Sequence, residues 1–388
     1  MRWMLYISFF ITSVTAASQT VLQQDSAELL ITDMIVQIES TEAMNAMYNF
    51  DFKEANKQYR WLMQKYPESP LSYFLLGLSE WWKMIPNSDV KLYDDSFHYY
   101  MDTTIQIAEA MLEVPTKRVE GAFFLAATYG FKGRLYSDRG QWGKASNAGR
   151  KALKYLEISQ EYNYLSPELL FGDALYNYFA VWIPENYPIL KPVLAFFPDG
   201  DKELGLEQLR EVSLNAFYTR IEAQVFLMQI LANDKHDYVA ALGFAQYLHE
   251  HYPNNPYFHR YFVRYLYSQH RYRQVEPIAL DILGRIEEGM FGYEATAGRY
   301  AAFFLGQVYQ SRKDFEKAEK YYLQAIEFAR QRDNIDTGYS LYSMLNLGRI
   351  AKDRSDKKLA KKYFKMVKKH ASRKDGVYKE ANRLLKEL

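Results

Sequence analysis

The stretch LGQVYQSRKDFEKAEKYYLQA, Leu305 to Ala325, is followed downstream by LGRIAKDRSDKKLAKKYFKMV, Leu347 to Val367. In the first, Leu305 and Gly306 precede Tyr309, Phe315, Ala318, Tyr322 and Ala325; in the second, Leu347 and Gly348 precede Ala351, Ala360, Phe364 and Val367. Large residues at i, i+3, i+4 and i+7 recur on either side of a polar turn, so each copy reads as two amphipathic helices folded on each other. A glycine facing a small residue lets two helix axes approach toward the lower end of about 8–10 Å. Gly133, Gly306 and Gly348 are expected to face Ala145, Ala318 and Ala360, with Gly77 and Gly172 in the same role elsewhere.

The order extends back through most of the chain. Phe52, Ala55, Tyr59, Leu62 and Pro67 form the second helix of an early unit and its closing turn. Gly133, Tyr136, Gly140, Trp142, Ala145, Gly149 and Ala152 form another, with a first helix over Phe123 to Tyr136. Tyr238, Ala241, Ala245, Leu248 and Pro253 repeat it, as do Tyr272, Val275, Ala279 and Ile282. Degenerate units read around 73–82 with 96–111, and around 169–178 with 204–212. Asn, Gly and Pro punctuate the turns, as in Pro253-Asn254-Asn255-Pro256.

This order of large and small residues resembles the tetratricopeptide repeat (TPR), a helix–turn–helix unit of about 34 residues. The resemblance implies an all-α fold, a right-handed superhelical solenoid of about seven or eight repeats whose stacked units share a core and present a groove. The expected organisation is a signal peptide at 1–17, a repeat array over 18–372 with a Pro-rich apolar insertion at about 179–203, and a capping helix at 373–388.

Hydrophobic content of 48% and charged content of 24% are those of a folded chain. Many of the 34 Tyr and of the Phe residues fall at repeat core positions, so packing explains them first. A net charge of +1 gives no reason to expect nucleic-acid binding. It conceals an asymmetry: residues 352–388 hold 14 Lys and Arg against 5 Asp and Glu. That basic region reads as a solvated capping face or as a peripheral contact with an anionic membrane surface.

Arg2, the apolar run Met4 to Val14 and Thr15-Ala16-Ala17 have the order of a secretory signal, with cleavage after Ala16 or Ala17. The run is shorter than the about 20 residues of a transmembrane span, although retention as an anchor is the alternative. The chain has no Cys, which excludes disulfides and thiolate chemistry. These features point to an exported bacterial protein, periplasmic or associated with the cell envelope.

Between Tyr178 and Leu204 the repeat is interrupted by Trp182-Ile183-Pro184-Glu185-Asn186-Tyr187-Pro188 and the apolar run Ile189 to Pro198. Four prolines oppose one continuous helix. Trp182, Ile189, Leu190, Phe196 and Phe197 then belong either to a short helix buried on the array or to an exposed hydrophobic docking element. Gly172, this stretch and Gly200-Asp201-Lys202-Glu203-Leu204-Gly205-Leu206 look like the central segment of a eukaryotic TPR family. That family is associated with the outer mitochondrial membrane and clearance of protein inclusions. The match covers roughly 45 residues, with Lys202 where Arg is usual, and implies a helical insertion within the array. The signal sequence points to another compartment, so the family's cellular role is not carried over.

No catalytic motif emerges, and neither cofactor nor metal is expected. Gly140-Gln141-Trp142-Gly143-Lys144-Ala145-Ser146 lacks the spacing and hydroxyl of a phosphate loop. His249 and His251 are two apart and point to different sides of a helix. The TPR resemblance instead implies that certain first-helix positions line the groove. By phase these are Arg134; Tyr257, Arg260, Arg264 and Tyr267; Tyr300, Phe303 and Gln307; then Tyr342, Leu345 and Arg349. Arg beside aromatic rings suits carboxylates and apolar side chains together. The Lys and Asn set of carboxylate-clamp cochaperones is missing. The expected function is a non-catalytic scaffold that holds a protein or peptide. The alternative is a receptor for a small molecule or glycan, with the insertion and Trp81-Trp82 shaping its pocket.

Overall fold

The computed structural model describes residues 29–191 and 197–388. Residues 1–17, Phe196 and the side chain of Leu190 lie outside the described residues. Among the described residues there are 17 α-helices and no strand. In chain order they are α1 (Met34–Tyr48), α2 (Phe52–Lys65), α3 (Leu71–Met84), α4 (Asp94–Leu112), α5 (Arg118–Asp138), α6 (Trp142–Gln160), α7 (Pro167–Asn186) and α8 (Lys202–Asn215). There follow α9 (Arg220–Asn233), α10 (Tyr238–His251), α11 (Pro256–Ser268), α12 (Tyr272–Glu287), α13 (Ala295–Ser311) and α14 (Phe315–Arg330). The last three are α15 (Gly338–Asp353), α16 (Lys357–His370) and α17 (Gly376–Lys386), the last lying within the expected capping segment.

One local device recurs at the hairpin turns. Phe50, Gly140, His270, Lys313 and Ser355 each take a positive φ, from 56° to 70°. The next residue then donates its N–H five residues back, as Asp314 does to Tyr309 at 3.0 Å and Asp356 to Ala351 at 2.9 Å. This closure satisfies carbonyls left open at the helix end. Asp237, Asp314 and Asp356 in turn accept the N–H three residues ahead and start the following helix.

The chain divides into two compact units. The first comprises, among the described residues, those up to Ala43, with Ala55–Leu78 and Asp94–Ala223. Here α4 packs on α5, α5 on α6 and α7 on α8, while α5 also touches α7. Gly205 brings α8 onto the backbone of α7: a Cβ there would lie 2.6 Å from the Tyr178 nitrogen. Two buried carboxylates tie distant segments together. Glu120 accepts the N–H groups of Leu30 and Ile31, and Glu168 those of Phe217, Tyr218 and Thr219 plus the Thr219 hydroxyl.

The second unit is Met44–Glu54, Ser79–Tyr93 and Gln224–Leu388. From α10 to α17 each helix packs on the next, and the first helices of the hairpins also meet: α11 with α13, α13 with α15, and α15 with α17. Contacts with both the next and the next-but-one helix are the packing of a helical-repeat stack. Tyr48, Trp82, Phe258, Phe304, Tyr322 and Phe364 are fully buried there. Asn255 caps α11 and also donates its side-chain amide to the Tyr48 carbonyl at 2.8 Å.

Two expectations need correction. Gly306 and Gly348 do not chiefly face alanines: a Cβ at either would strike the ring of Tyr322 or Phe364, at 2.5 and 2.4 Å. The missing side chain makes room for an aromatic ring. Gly133 does meet Ala148 and the Ala145 backbone at ordinary distances. The helix preceding the insertion also runs further than expected, through Trp182 and Pro184 to Asn186. Pro184 lies inside the helix and gives up one N–H bond to the preceding turn, yet the helix continues past it, and the Tyr187 N–H closes its end on the Ile183 carbonyl at 2.8 Å.

Candidate functional site

Three successive first helices of the second unit, α11, α13 and α15, assemble a cluster of arginine and tyrosine. On α11 the spacing of four residues puts Tyr257, Tyr261 and Tyr265 in one row, with ring centroids 4.7 and 5.7 Å apart. Arg260 and Arg264 form the adjacent row. The Arg260 guanidinium lies 5.6 Å from the Tyr261 ring and 5.6 Å from the Tyr300 ring, and Arg264 lies 5.7 Å from Tyr261. Arg299 on α13 stands 5.7 Å from Tyr300, whose ring meets Tyr339 of α15 at 4.7 Å. Such approaches are favourable cation–π contacts, worth more as water is removed.

The ends of the cluster differ in how they are held. Arg260 donates to the Pro86 carbonyl at 3.0 Å, and Arg299 to the Thr337 hydroxyl. Arg332 instead pairs with Asp89 and Glu294. Burial pushes the phenols of Tyr267 and Tyr339 up to about 12, so both remain hydrogen-bond donors at neutral pH.

The residues expected to line a groove divide. Tyr257, Arg260, Arg264, Tyr267, Tyr300 and Phe303 fall in the second unit on α11 and α13, and contacts among them and with Tyr339 link them. Tyr257, Arg260 and Phe303 are nevertheless buried rather than groove-facing. The dense aromatic packing closes over them, and Gln229 donates to the Tyr257 hydroxyl. Arg264, Tyr267 and Tyr300 are half-buried, and Tyr342 is 45% exposed. Gln307 is half-buried and bonds the Tyr322 hydroxyl at 2.8 Å, while Leu345 is buried. Arg349 is drawn into an ion pair with Glu380 at 3.0 Å, beside Arg383, and is not a free groove cation. Arg134 is exposed and belongs to the first unit.

Sequence phase alone did not find Tyr261, Tyr265, Arg299 and Tyr339. The signal was present: Tyr261 and Tyr265 lie four and eight residues beyond Tyr257, and Tyr339 lies three before Tyr342.

Other expected features are placed as follows. Ile189 is 86% exposed in a short turn, Pro188–Leu190. Trp182 and Phe197 are half-buried, with Trp182 edge-on to Phe179 and Tyr187 at 5.9 Å each. Trp81 and Trp82 are buried, so neither offers an open face to a sugar. His249 stacks on His259 at 4.4 Å. Burial presses both imidazoles down, His249 to about 4. Among the described residues no group of three or more His, Asp or Glu could hold a metal ion. None of the helices searched is long and apolar enough to cross a membrane.

No curated protein matches the chain. Among solved structures it is similar to the crystal structure of yeast Tom70, at 12% identity and a TM-score of 0.28, over 90% of this chain and 94% of that one. It is similar also to a circular tandem repeat protein with novel repeat topology and enhanced subunit contact surfaces, at 12% identity and a TM-score of 0.26. That match covers 96% of this chain and 89% of the other. The family model of the tetratricopeptide repeat matches residues 299–371, from the start of the cluster on α13 through α16. Over that segment the chain is similar to the tetratricopeptide repeat.

Proposed function

We propose that this chain is a non-catalytic helical-repeat scaffold that holds a protein or peptide along α11, α13 and α15 of its second unit. The observation that carries this reading is the row of Arg264, Tyr261, Tyr300, Tyr339 and Tyr342 on three consecutive first helices, half-buried or exposed. Preformed helices spare a ligand much of the ordering cost, and a few Tyr and Arg anchors supply most of the affinity. The reading includes export and a place in a bacterial cell-envelope assembly, supported by the order of residues 1–17.

The basic C-terminal region is read as a solvated cap. Lys352 pairs with Glu387, Lys357 bonds the Leu388 carbonyl and Lys368 bonds Asn382, so part of its charge serves to hold α17.

Affinity capture from native envelope extract, with the full chain and its Arg264→Glu variant in parallel, tests the scaffold. A protein retained by the wild type and lost with the variant is expected. Retention by both would remove this face as the binding surface. Fractionation of cells expressing the chain tests export, which a cytosolic pool alone would contradict.

A further inference from the structure

Three guanidinium groups of the second unit gather with no acid to balance them. Arg260, Arg264 and Arg299 form no ion pair with any described carboxylate, whereas nearby Arg332 is held by Asp89 at 2.5 Å and Glu294 at 3.7 Å. Tyr261 is shared by Arg260 and Arg264, and Tyr300 by Arg260 and Arg299. Burial presses the Arg299 guanidinium below its ordinary value; Tyr300 opposes this, and the charges of Arg260 and Arg332 add to it. Collecting like charges in a half-buried place is unfavourable unless an opposite charge joins them.

Donors are left over at the same place. Arg299 Nε and the hydroxyl of fully buried Tyr265 have no hydrogen-bond partner. The hydroxyls of Tyr261, Tyr300 and Tyr339 donate to no described group. Asp89 and Glu294 are already engaged by Arg332, and Glu294 also by Asn87.

We propose that Arg264 and Arg299, with the hydroxyls of Tyr261, Tyr300 and Tyr339 and the buried charge of Arg260 behind them, bind a phosphate dianion borne by an aromatic or other flat apolar group. The inference deepens the scaffold reading, on which it rests for the choice of face, by naming the group the ligand presents. A carboxylate brings one negative charge and leaves most of the excess unbalanced. A phosphate monoester carries about −1.5 to −2 near neutral pH and three strong acceptor oxygens. Guanidinium forks match those oxygens in pairs, and tyrosine faces cover the flat group.

The test is calorimetric titration of the full chain with inorganic phosphate, phenyl phosphate and sodium acetate at constant ionic strength. One saturable phosphate site is expected, with phenyl phosphate tighter and acetate weaker than inorganic phosphate by about tenfold each. Arg264→Gln removes no hydrogen bond or ion pair and should weaken phenyl phosphate by about tenfold or more. Arg354→Gln, at an arginine paired with Glu319, should leave it unchanged. A phosphotyrosine peptide run beside phenyl phosphate separates two sources of the same group. Tighter peptide binding assigns it to a modified protein, and equal binding to a small organic phosphate; both support the site. No saturable phosphate binding, acetate as tight as phosphate, or full affinity in Arg264→Gln overturns it. Partner capture that persists without phosphate binding would sink only this inference. Phosphate binding with no captured partner would sink only the scaffold.

Discussion

The two units treat buried charge in opposite ways. In the first, Glu168 is buried yet saturated: three backbone N–H groups and the Thr219 hydroxyl converge on its carboxylate. Glu120 is bonded by the Leu30 and Ile31 N–H groups in the same manner, although burial still raises its pKa. In the second, Arg264 lies against the Tyr261 and Tyr265 rings with no ion pair to a described carboxylate, and Arg299 keeps an unmatched Nε. A charge satisfied from within holds the fold together. A charge left for something else is available to a ligand, at some cost to the free protein.

The contrast breaks first at Glu168. Glu168→Ala leaves four donors without their acceptor and should cost about 3–5 kcal/mol in chemical denaturation. A loss under about 1 kcal/mol would show that these bonds do not organise the first unit.

Acid should strike the second unit next. In the unfolded chain His249 and His259 take up protons below about 6.5, while burial and stacking keep them neutral in the fold. Asp281, Glu250 and Arg285 are the charged groups around the pair. Because the folded values are lowered, the stability they give is complete above about 6.5 and is lost as pH falls toward about 4. A loss on the order of 3 kcal/mol is expected, reduced in His249→Phe, which keeps the stack. Equal acid sensitivity in that variant would place the effect elsewhere.

Gly306→Leu tests the floor beneath the cluster. A side chain there meets the Tyr322 ring, and overpacking should cost about 1–3 kcal/mol. Unchanged melting would contradict the helix register. The smallest change in stability belongs to Arg264→Ala, about 1 kcal/mol or less, because cation–π contacts are lost but no hydrogen bond or ion pair is. A large destabilisation would make Arg264 structural, like Glu168, and erase the contrast.

The repeat was legible because its signal is periodic. Tyr309, Ala318, Tyr322 and Ala325 repeat an order that two packed helices require. The α11–α13–α15 face was partly legible, since phase placed Arg264, Tyr267 and Tyr300 on first helices. Phase does not report how deeply a side chain sits. Arg260 and Phe303 share that register yet are buried, because Tyr257, Tyr339 and Phe304 pack around them. Nor does it report which charges find partners: Arg349 meets Glu380 across 31 positions, and Glu168 finds Tyr218 across 50. Pro184 shows the same limit for the backbone: the helix runs through it to Asn186 although the proline gives up one hydrogen bond to the preceding turn.

The most direct test of the central claim is photo-crosslinking in native extract from two exposed positions of the second unit. A photoreactive residue replaces Tyr342 on the first helix α15 in one protein and Leu323 on the second helix α14 in the other. The scaffold reading predicts one protein crosslinked from position 342 and not from 323, with the crosslink lost on adding Arg264→Glu. Crosslinking of the same protein from 323 alone, or from 342 undiminished by Arg264→Glu, would contradict it.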